Sequence, residues 1–504
     1  MLKIEFRIAE KLNLDRLLSE SGLPFSLEKE STANGRVRYF DTFDWRLFAK
    51  QLALAKNGRK WELHNLSQNE VIAAETLTGS PKFSEDFPDG DLRRKIAPLL
   101  EMRALQLSGD VHIETSSFRV LDSMEKTIAR LSINRLLTNT ESKPVYHLTM
   151  VGLRGYDEAF NQLSNAVADH PSIETSNSAF EAIMAAAGQQ PGEYSGKLQL
   201  NLRQEMTALD AAREIFGQLL DIIRQNVQGT NDDLDSEFLH DFRVAIRRTR
   251  SGLSQIRGIF PPDDVEKFKN AFADLQRQTN DLRDLDVYLM DAPTYRQLLP
   301  EQLRPAIEPV FAHLQSERKK ALRKVRRALN SSEYVELLND WQKYLKYAQP
   351  EVAPNAVMPA VELAKQRIYK RYRRVIKDGK AIGTDSPDEQ LHTLRIDCKK
   401  LRYLLEFFES LFPAGEVKQL IKQLKKLQDN LGKFNDLSVQ IDTLYDWLNL
   451  FSKKGSGVQT VAAIGSLIGT LSERKRQMRA AFHDTFAQFS SQEIRSQFKS
   501  LFAE

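Results

Sequence analysis

Leu239–Arg250, LHDFRVAIRRTR, and Leu391–Arg402, LHTLRIDCKKLR, are two copies of one pattern. A shift of 152 residues lays His240–Val287 on His392–Val439 without a gap, and 12 of those 48 positions are identical. The matches include His240/His392, Arg243/Arg395, Arg250/Arg402, Phe260/Phe412, Pro261/Pro413 and Asp284/Asp436. Arg247/Lys399 and Arg248/Lys400 exchange one cation for another. Gap-free identity at charged as well as apolar positions marks an internal duplication. Two similar helical units about a pseudo-two-fold axis are the expected result.

Both segments read as the start of a helix. At about 100° per residue, His240, Arg243, Arg247 and Arg250 fall within an arc of about 80°, whereas Phe242, Ile246 and Leu253 lie on another face. His392, Arg395, Lys399 and Arg402 repeat the geometry, with Leu394, Cys398, Leu401 and Leu405 on the apolar side. Such a row repels itself by roughly a few tenths of a kcal/mol per pair. It also sets guanidinium forks one turn apart, each able to hold two phosphate oxygens. A histidine in the row donates hydrogen bonds, and a nearby phosphate favours its protonated form. A salt-bridged solvent face would explain one basic helix, but it gives no reason to keep a histidine in the same phase twice. The two helices together predict a cationic groove or channel for a polyanion.

Outward from these copies the chain stays 3.6-periodic, with breaks at Phe260-Pro261-Pro262, Leu299-Pro300, Pro350–Pro359, Asp385–Asp388 and Phe412-Pro413. Further basic clusters reinforce the pattern less specifically. Arg367, Arg371 and Arg374 share one helical face, Arg323 and Arg327 belong to the dense run from Arg318 to Arg327, and Lys422, Lys425, Lys426 and Lys433 follow the second copy. Asp284 and Asp436 recur and are expected to orient basic side chains of a neighbouring helix. Residues 1–200 carry 24 basic and 27 acidic side chains, against 48 and 41 in residues 201–504. The positive charge therefore sits with the repeat.

Residues 1–160 read differently. Ile4–Ile8, Arg36–Phe40, Trp61–Leu63, Phe118–Leu121, Thr127–Ile133 and Tyr146–Val151 look like strands, with turns at Asn57-Gly58 and Arg154-Gly155. Helices are expected near Leu14–Glu20, Asp91–Leu100 and Asp157–Ala168. Ala185–Gly196, rich in Gly, Gln and Pro, reads as a linker. The expected organisation is a multidomain chain: an α+β antiparallel tunnel or barrel at 1–185, a linker at 186–199, and all-α bundles at 200–345 and 346–504.

The H-x-x-R-V/I-x-x-R/K-R/K-x-R pattern, its recurrence and Arg283-Asp284-Leu285-Asp286-Val287 resemble the CHAD domain, the conserved histidine alpha-helical domain, over roughly residues 200–500. The resemblance implies two four-helix bundles with pseudo-two-fold symmetry and a basic central groove that binds inorganic polyphosphate, often at polyphosphate granules. Carried over position by position, the binding set is His240, Arg243, Arg247, Arg248, Arg250, His392, Arg395, Lys399, Lys400 and Arg402. The clustered Arg367, Arg371, Arg374, Arg323 and Arg327 extend it.

Tyr39-Phe40-Asp41-Thr42, Trp61-Glu62-Leu63 and the Gly155 turn resemble the CYTH, or triphosphate tunnel metalloenzyme, fold often joined in front. Intact members hold triphosphates with tunnel cations and Mg²⁺ or Mn²⁺ with glutamates. This chain departs from that pattern. The first-strand signature falls on Lys3, Glu5 and Arg7, the paired arginines on Ala55 and Asn57, and the following lysine near His64. The late acidic strand falls on His147–Val151, which has no carboxylate. One glutamate is too few for a hard cation, so the resemblance implies a tunnel that keeps the fold without its metal chemistry.

The totals exclude several classes. A single cysteine, Cys398, leaves no disulfide framework and fits a reducing compartment. No targeting segment is visible, and Val458–Leu471 is too short and polar to span a bilayer. Neither a phosphate-binding glycine loop nor a nucleophile–base–orienter set is present. The expectation is a cytoplasmic binder of inorganic polyphosphate or other phosphate-rich anions, with no cofactor, catalytic residue or metal site. Homo-oligomerisation or contact with granule proteins would accompany it. Competing classes are a metal-dependent triphosphatase in the front domain, a nucleic-acid binder, and a purely structural helical protein.

Overall fold

The computed structural model describes residues 2–8, 12–68, 70–138, 144–175, 179–347, 353–453 and 457–503. The start of the expected Pro350–Pro359 break lies outside them. The chain forms two compact units, Met1–Ser195 and Gly196–Glu504.

In the first unit the elements run β1 (Lys3–Ile8), α1 (Leu14–Ser21), β2 (Ser26–Thr42), β3 (Leu52–Asn57), β4 (Lys60–Asn65), β5 (Glu70–Thr76), α2 (Asp91–Leu100), β6 (Leu105–Leu121), β7 (Thr127–Leu137), β8 (Val145–Gly152), α3 (Asp157–Ala168), β9 (Ile173–Thr175) and α4 (Ala179–Ala186). The strands form one curled antiparallel sheet in the order β5-β4-β3-β2-β6-β7-β8-β1-β9. Two residues, Gly58 and Arg59, connect β3 to β4. Gly58 has φ +59°, the left-handed conformation that tight hairpins demand.

Alternation assigns the two faces of the sheet. Phe6, Ile8, Leu131, Leu148 and Met150 pack under α1 and α3, while Phe40, Leu54, Trp61 and Leu63 pack under α2. The opposite face carries Ala53, Val111 and Leu136, covered by Phe180, Ile183 and Met184 of α4. Gly109 makes room for that helix, since a Cβ there would stand 2.7 Å from Met184 Cε.

The second unit is helical: α5 (Ala208–Gln225), α6 (Val227–Asp232), α7 (Ser236–Gln255), α8 (Pro262–Gln278), α9 (Asn280–Met290), α10 (Ala292–Leu298), α11 (Glu308–Leu329), α12 (Ser332–Tyr347), α13 (Ala360–Lys380), α14 (Asp388–Phe408), α15 (Ala414–Lys453), α16 (Val458–Ala480), α17 (Phe482–Phe489) and α18 (Gln492–Phe502). No helix among the described residues is long and apolar enough to cross a membrane.

A four-helix arrangement of α5, α7, α8 and α12 closes on Trp341, with Phe216, Phe260, Phe268 and Phe272 around its ring. Its counterpart, α13, α14, the first half of α15 and α18, stacks Tyr372 on Phe498 at 3.8 Å. A third core joins the copies, with Tyr288, Tyr295, Phe311 and Leu314 of the first meeting Leu444, Trp447, Phe451 and Leu467 of the second.

The symmetry is visible in the backbone. Thr207 and Pro359, which are 152 residues apart, form an isolated antiparallel bridge. Ala208 N donates to Met358 O (2.7 Å) and Ala360 N to Met206 O (2.9 Å), each bond the image of the other under the sequence shift. A pseudo-dyad therefore passes between these residues. It is imperfect along the connecting helices: α8, α9 and α10 are separated at Thr279 and Asp291, whereas their counterpart α15 runs straight through as a single 40-residue helix.

Candidate functional site: a cationic row across the dyad

Asp235 starts α7 by accepting hydrogen bonds from Glu237 N (2.9 Å) and Phe238 N (3.3 Å). One face then buries Phe238, Leu239, Phe242, Ile246 and Leu253. On α14, Leu391, Leu394, Cys398, Leu401 and Leu405 do the same. The two helices pack against each other, tied by Arg248 to Glu406 Oε2 (2.8 Å) and by Gln255 Nε2 to Lys400 O (3.3 Å). The cationic rows are thus carried on adjacent rigid elements.

The members of the row have different fates. Arg243 is buried and donates to Gln276 O (3.1 Å) and Thr279 Oγ1 (2.6 Å). It caps the end of α8, where backbone carbonyls lose their helical partners. In the second copy α15 does not end there, so no carbonyl is free, and Arg395 turns instead to Asp436 (3.1 Å). Burial, with Arg247 beside it, pushes the Arg243 guanidinium down to about 10, still fully charged at neutral pH. Arg250 donates to Gln276 Oε1 (2.8 Å). Arg402 pairs with Glu406 (3.3 Å), the carboxylate that also holds Arg248, and both guanidiniums lie on the Tyr403 ring. His240 is half-buried, while His392 is exposed and hydrogen-bonds Asn435 through Nδ1.

Arg247 and Lys399 stand apart from these. They are equivalent under the repeat, each is half-buried, and among the described residues neither makes a hydrogen bond or ion pair. Instead they repel one another. Burial comes first, then Arg395 and Arg247, in pushing the Lys399 ammonium down to about 8, with Asp436 the opposing charge. Arg247 likewise acts on Arg243 and on Arg283 of α9. Cations held this close without a counter-ion are costly, and an anion between them would offset that cost.

Arg283 was outside the sequence-derived set, yet it faces this row. It donates to Ser236 O (3.3 Å) and lies 3.9 Å from Glu237. The available signal was its repeat position, since Arg283 corresponds to Asn435, the partner of His392.

The remaining basic residues lie elsewhere. Lys400 turns away from the row toward Asp397 (3.7 Å), which also accepts from Arg371 (2.7 Å) and pairs with Arg374 (2.9 Å). Arg367 donates to Arg257 O (3.0 Å). Arg257, Arg367, Lys370, Arg371 and Arg374 line a separate cavity of about 220 Å³. Arg323 and Arg327 are exposed on α11, and among the described residues no hydrogen bond or ion pair joins them to the row. Arg318 in the same run bridges Asp233 (2.6 Å) and Asp286 (2.6 Å), so that carboxylate has a packing partner rather than a ligand.

In the sheet unit, pairing places Lys3, Glu5, Arg7, Lys60, Glu62, His64, Arg130 and His147 on the face that α4 covers, and Arg36, Arg38 and Lys56 on the other. Glu5 is engaged by Lys3 (2.7 Å) and faces His147 (3.6 Å), whose buried ring stays below its usual pKa because of desolvation. Asp41 accepts from Thr42 N, Leu47 N and Phe48 N, which fixes the loop after β2. Among the described residues no three His, Cys, Asp or Glu side chains gather as metal ligands.

Fold and site together define an internally duplicated helical module with a cationic row at its pseudo-dyad. Residues 214–445 match the CHAD domain, so the helical unit carries a CHAD domain. Among solved structures, the CHAD domain from the plant Ricinus communis is 24% identical, covering 58% of this chain and 97% of that one, with a TM-score of 0.49. PptA from Streptomyces chartreusis is 15% identical over 56% and 99%, with a TM-score of 0.41. HpAC1 from Hippeastrum, described by a dominant triphosphatase activity, is 14% identical over 38% and 99%, with a TM-score of 0.26. No curated relative matches the chain.

Proposed function

We propose that the helical unit binds inorganic polyphosphate across the pseudo-dyad, as a non-catalytic module that targets or scaffolds at cytoplasmic polyphosphate granules. The observation that carries the reading is Arg247 facing Lys399 with neither, among the described residues, in a hydrogen bond or ion pair, and with Asp436 the one carboxylate acting on Lys399. Arg395 and Arg402 continue the row along α14, and Arg243, Arg250 and Arg283 continue it on the other side. A narrow polymer with a charge on every unit satisfies several of these cations at once. His240 and His392 sit one turn before Arg243 and Arg395 and would donate at its margins. Arg248 and Lys400 brace the helix pair, while Arg367, Arg371, Arg374, Arg323 and Arg327 would engage only a polymer long enough to leave the row.

Nucleic acid would need base-stacking platforms. Tyr403, an aromatic beside the row, is already covered by Arg248 and Arg402. The test is competition. Labelled long-chain polyphosphate is expected to stay bound when duplex DNA or RNA is added at equal phosphate concentration, and displacement would overturn the reading.

A further inference from the structure

The duplication is unequal at its centre. Where the first copy has Arg247, the second has Lys399, flanked on its own helix by Arg395 one turn before and Arg402 one turn after. An arginine at neutral pH is chemically inert, but a lysine amine becomes a nucleophile once it loses its proton. Lys400 next door is held by Asp397, so among the described residues the row has one lysine without a bonded partner.

We propose that Lys399 is a modification site for small acyl phosphates, with Arg247, Arg395 and Arg402 holding the phosphoryl group while the amine takes the acyl group. The proposal rests on the phosphate-binding reading of the row and deepens it. In the step, the Nζ lone pair attacks the acyl carbon and an N–C bond forms. The bond from that carbon to the phosphate oxygen breaks, and inorganic phosphate leaves with the electron pair. The proton released from nitrogen passes to phosphate or water. No further reagent is required, and the product is an amide without charge.

Three features support it. The bound phosphoryl group brings the acyl carbon beside the amine, which replaces a random encounter with a positioned one. The groups facing Lys399 are Arg395 and Arg402 on α14, Arg247 on α7 and Asp436 on α15, so cations outnumber the single carboxylate. That environment leaves about half the amine unprotonated at a pH near 8, roughly a hundredfold more than an ordinary lysine. Acylation would remove the cation opposite Arg247, so a high acyl phosphate level would weaken polyphosphate binding.

The experiment treats the full chain with acetyl phosphate near pH 8 and follows site occupancy by mass spectrometry, with acetic anhydride as a phosphate-free acyl donor. Lys399 is expected to react about tenfold or more faster than the exposed Lys319 and Lys422 with acetyl phosphate, and saturating polyphosphate is expected to protect it. The advantage should shrink with acetic anhydride, and Arg402→Gln should slow the acetyl phosphate reaction more than the anhydride reaction, which feels only the loss of a neighbouring cation. A Lys399 rate no higher than that of Lys422, or an equal advantage with both donors, would overturn the proposal. Polyphosphate binding is measured on the same preparation. Intact binding with an unselective Lys399 removes the modification alone, whereas phosphate-guided acylation without polyphosphate binding removes the choice of polymer and retains the modification.

Discussion

Replacing Arg247 and Lys399 together by Gln tests the central row where it is least entangled with the fold. Among the described residues neither side chain donates to a protein acceptor, so no partner there is orphaned, and the mutual repulsion disappears. Folding stability is expected to hold or rise slightly. Binding is expected to fall sharply. A charge-assisted contact contributes about 1.5–3 kcal/mol, so two contacts correspond to a loss of roughly a hundredfold or more in affinity. The salt dependence gives a second, independent number. Each phosphate contact contributes about 0.7–0.9 to the slope of log K against log salt, so the double variant should lose about 1.4–1.8 from it. Affinity for long-chain polyphosphate would be titrated between about 50 and about 200 mM salt, with urea unfolding as the control. An unchanged slope with unchanged stability would refute the reasoning, because these cations would then meet no phosphate.

Arg243→Gln is expected to behave differently: it removes the donor to Thr279 Oγ1 and one of the donors to Gln276 O, and should cost about 1–3 kcal/mol of stability by urea unfolding, in addition to weakening binding. Binding should also decline as pH rises through about 8, where Lys399 loses its proton, and Lys399→Arg should flatten that decline in titrations from neutral to mildly alkaline pH. Arg318→Ala should destabilise the fold by about 3 kcal/mol, because it strands the buried Asp286. Arg318 holds the Asp233 carboxyl below its usual range, so this pair's stabilisation is present above the ordinary carboxylate pKa and fades as pH falls through the depressed value, which acid titration of wild type against variant would reveal. With Mg²⁺ or Mn²⁺, the full chain is expected to release no phosphate from tripolyphosphate; release that Glu5→Gln abolishes would restore the enzymatic reading.

The helical half was legible because its information is local and repeated. Pro261, Pro300, Pro387 and Pro413 stand at helix ends in the structure, and the phase of the cationic row survives intact. What each cation does was not legible, because that depends on where a neighbouring helix ends. Arg243 and Arg395 are identical residues at equivalent positions, yet one caps α8 and the other reaches Asp436, a difference set by the Thr279 break. Arg371 and Arg374 are spoken for by Asp397, whose repeat counterpart is Ala245, so the duplication carried no hint of it. In the sheet, the long strands β2 and β6 were only partly visible. Ser26–Gly35 is polar on both faces and lacks the alternation that marks a half-buried strand, and Leu52–Asn57 has no β-branched or aromatic residue. The covering of one sheet face by α4 is a tertiary fact that no period in Ala179–Ala186 announces.

The bridge between Thr207 and Pro359 has a consequence for the direction in which a ligand can lie. A chain crossing a two-fold axis meets the same sequence of cations whether it is threaded forwards or backwards. Linear polyphosphate is itself without polarity, so every encounter presents a correct orientation and each of its ends sees an equivalent half of the row. A nucleic acid strand has two chemically distinct ends and would be matched to only one half in either sense. The small asymmetries, Arg247 against Lys399 and Arg283 against Asn435, are then what would give one end of a bound polymer a preferred side.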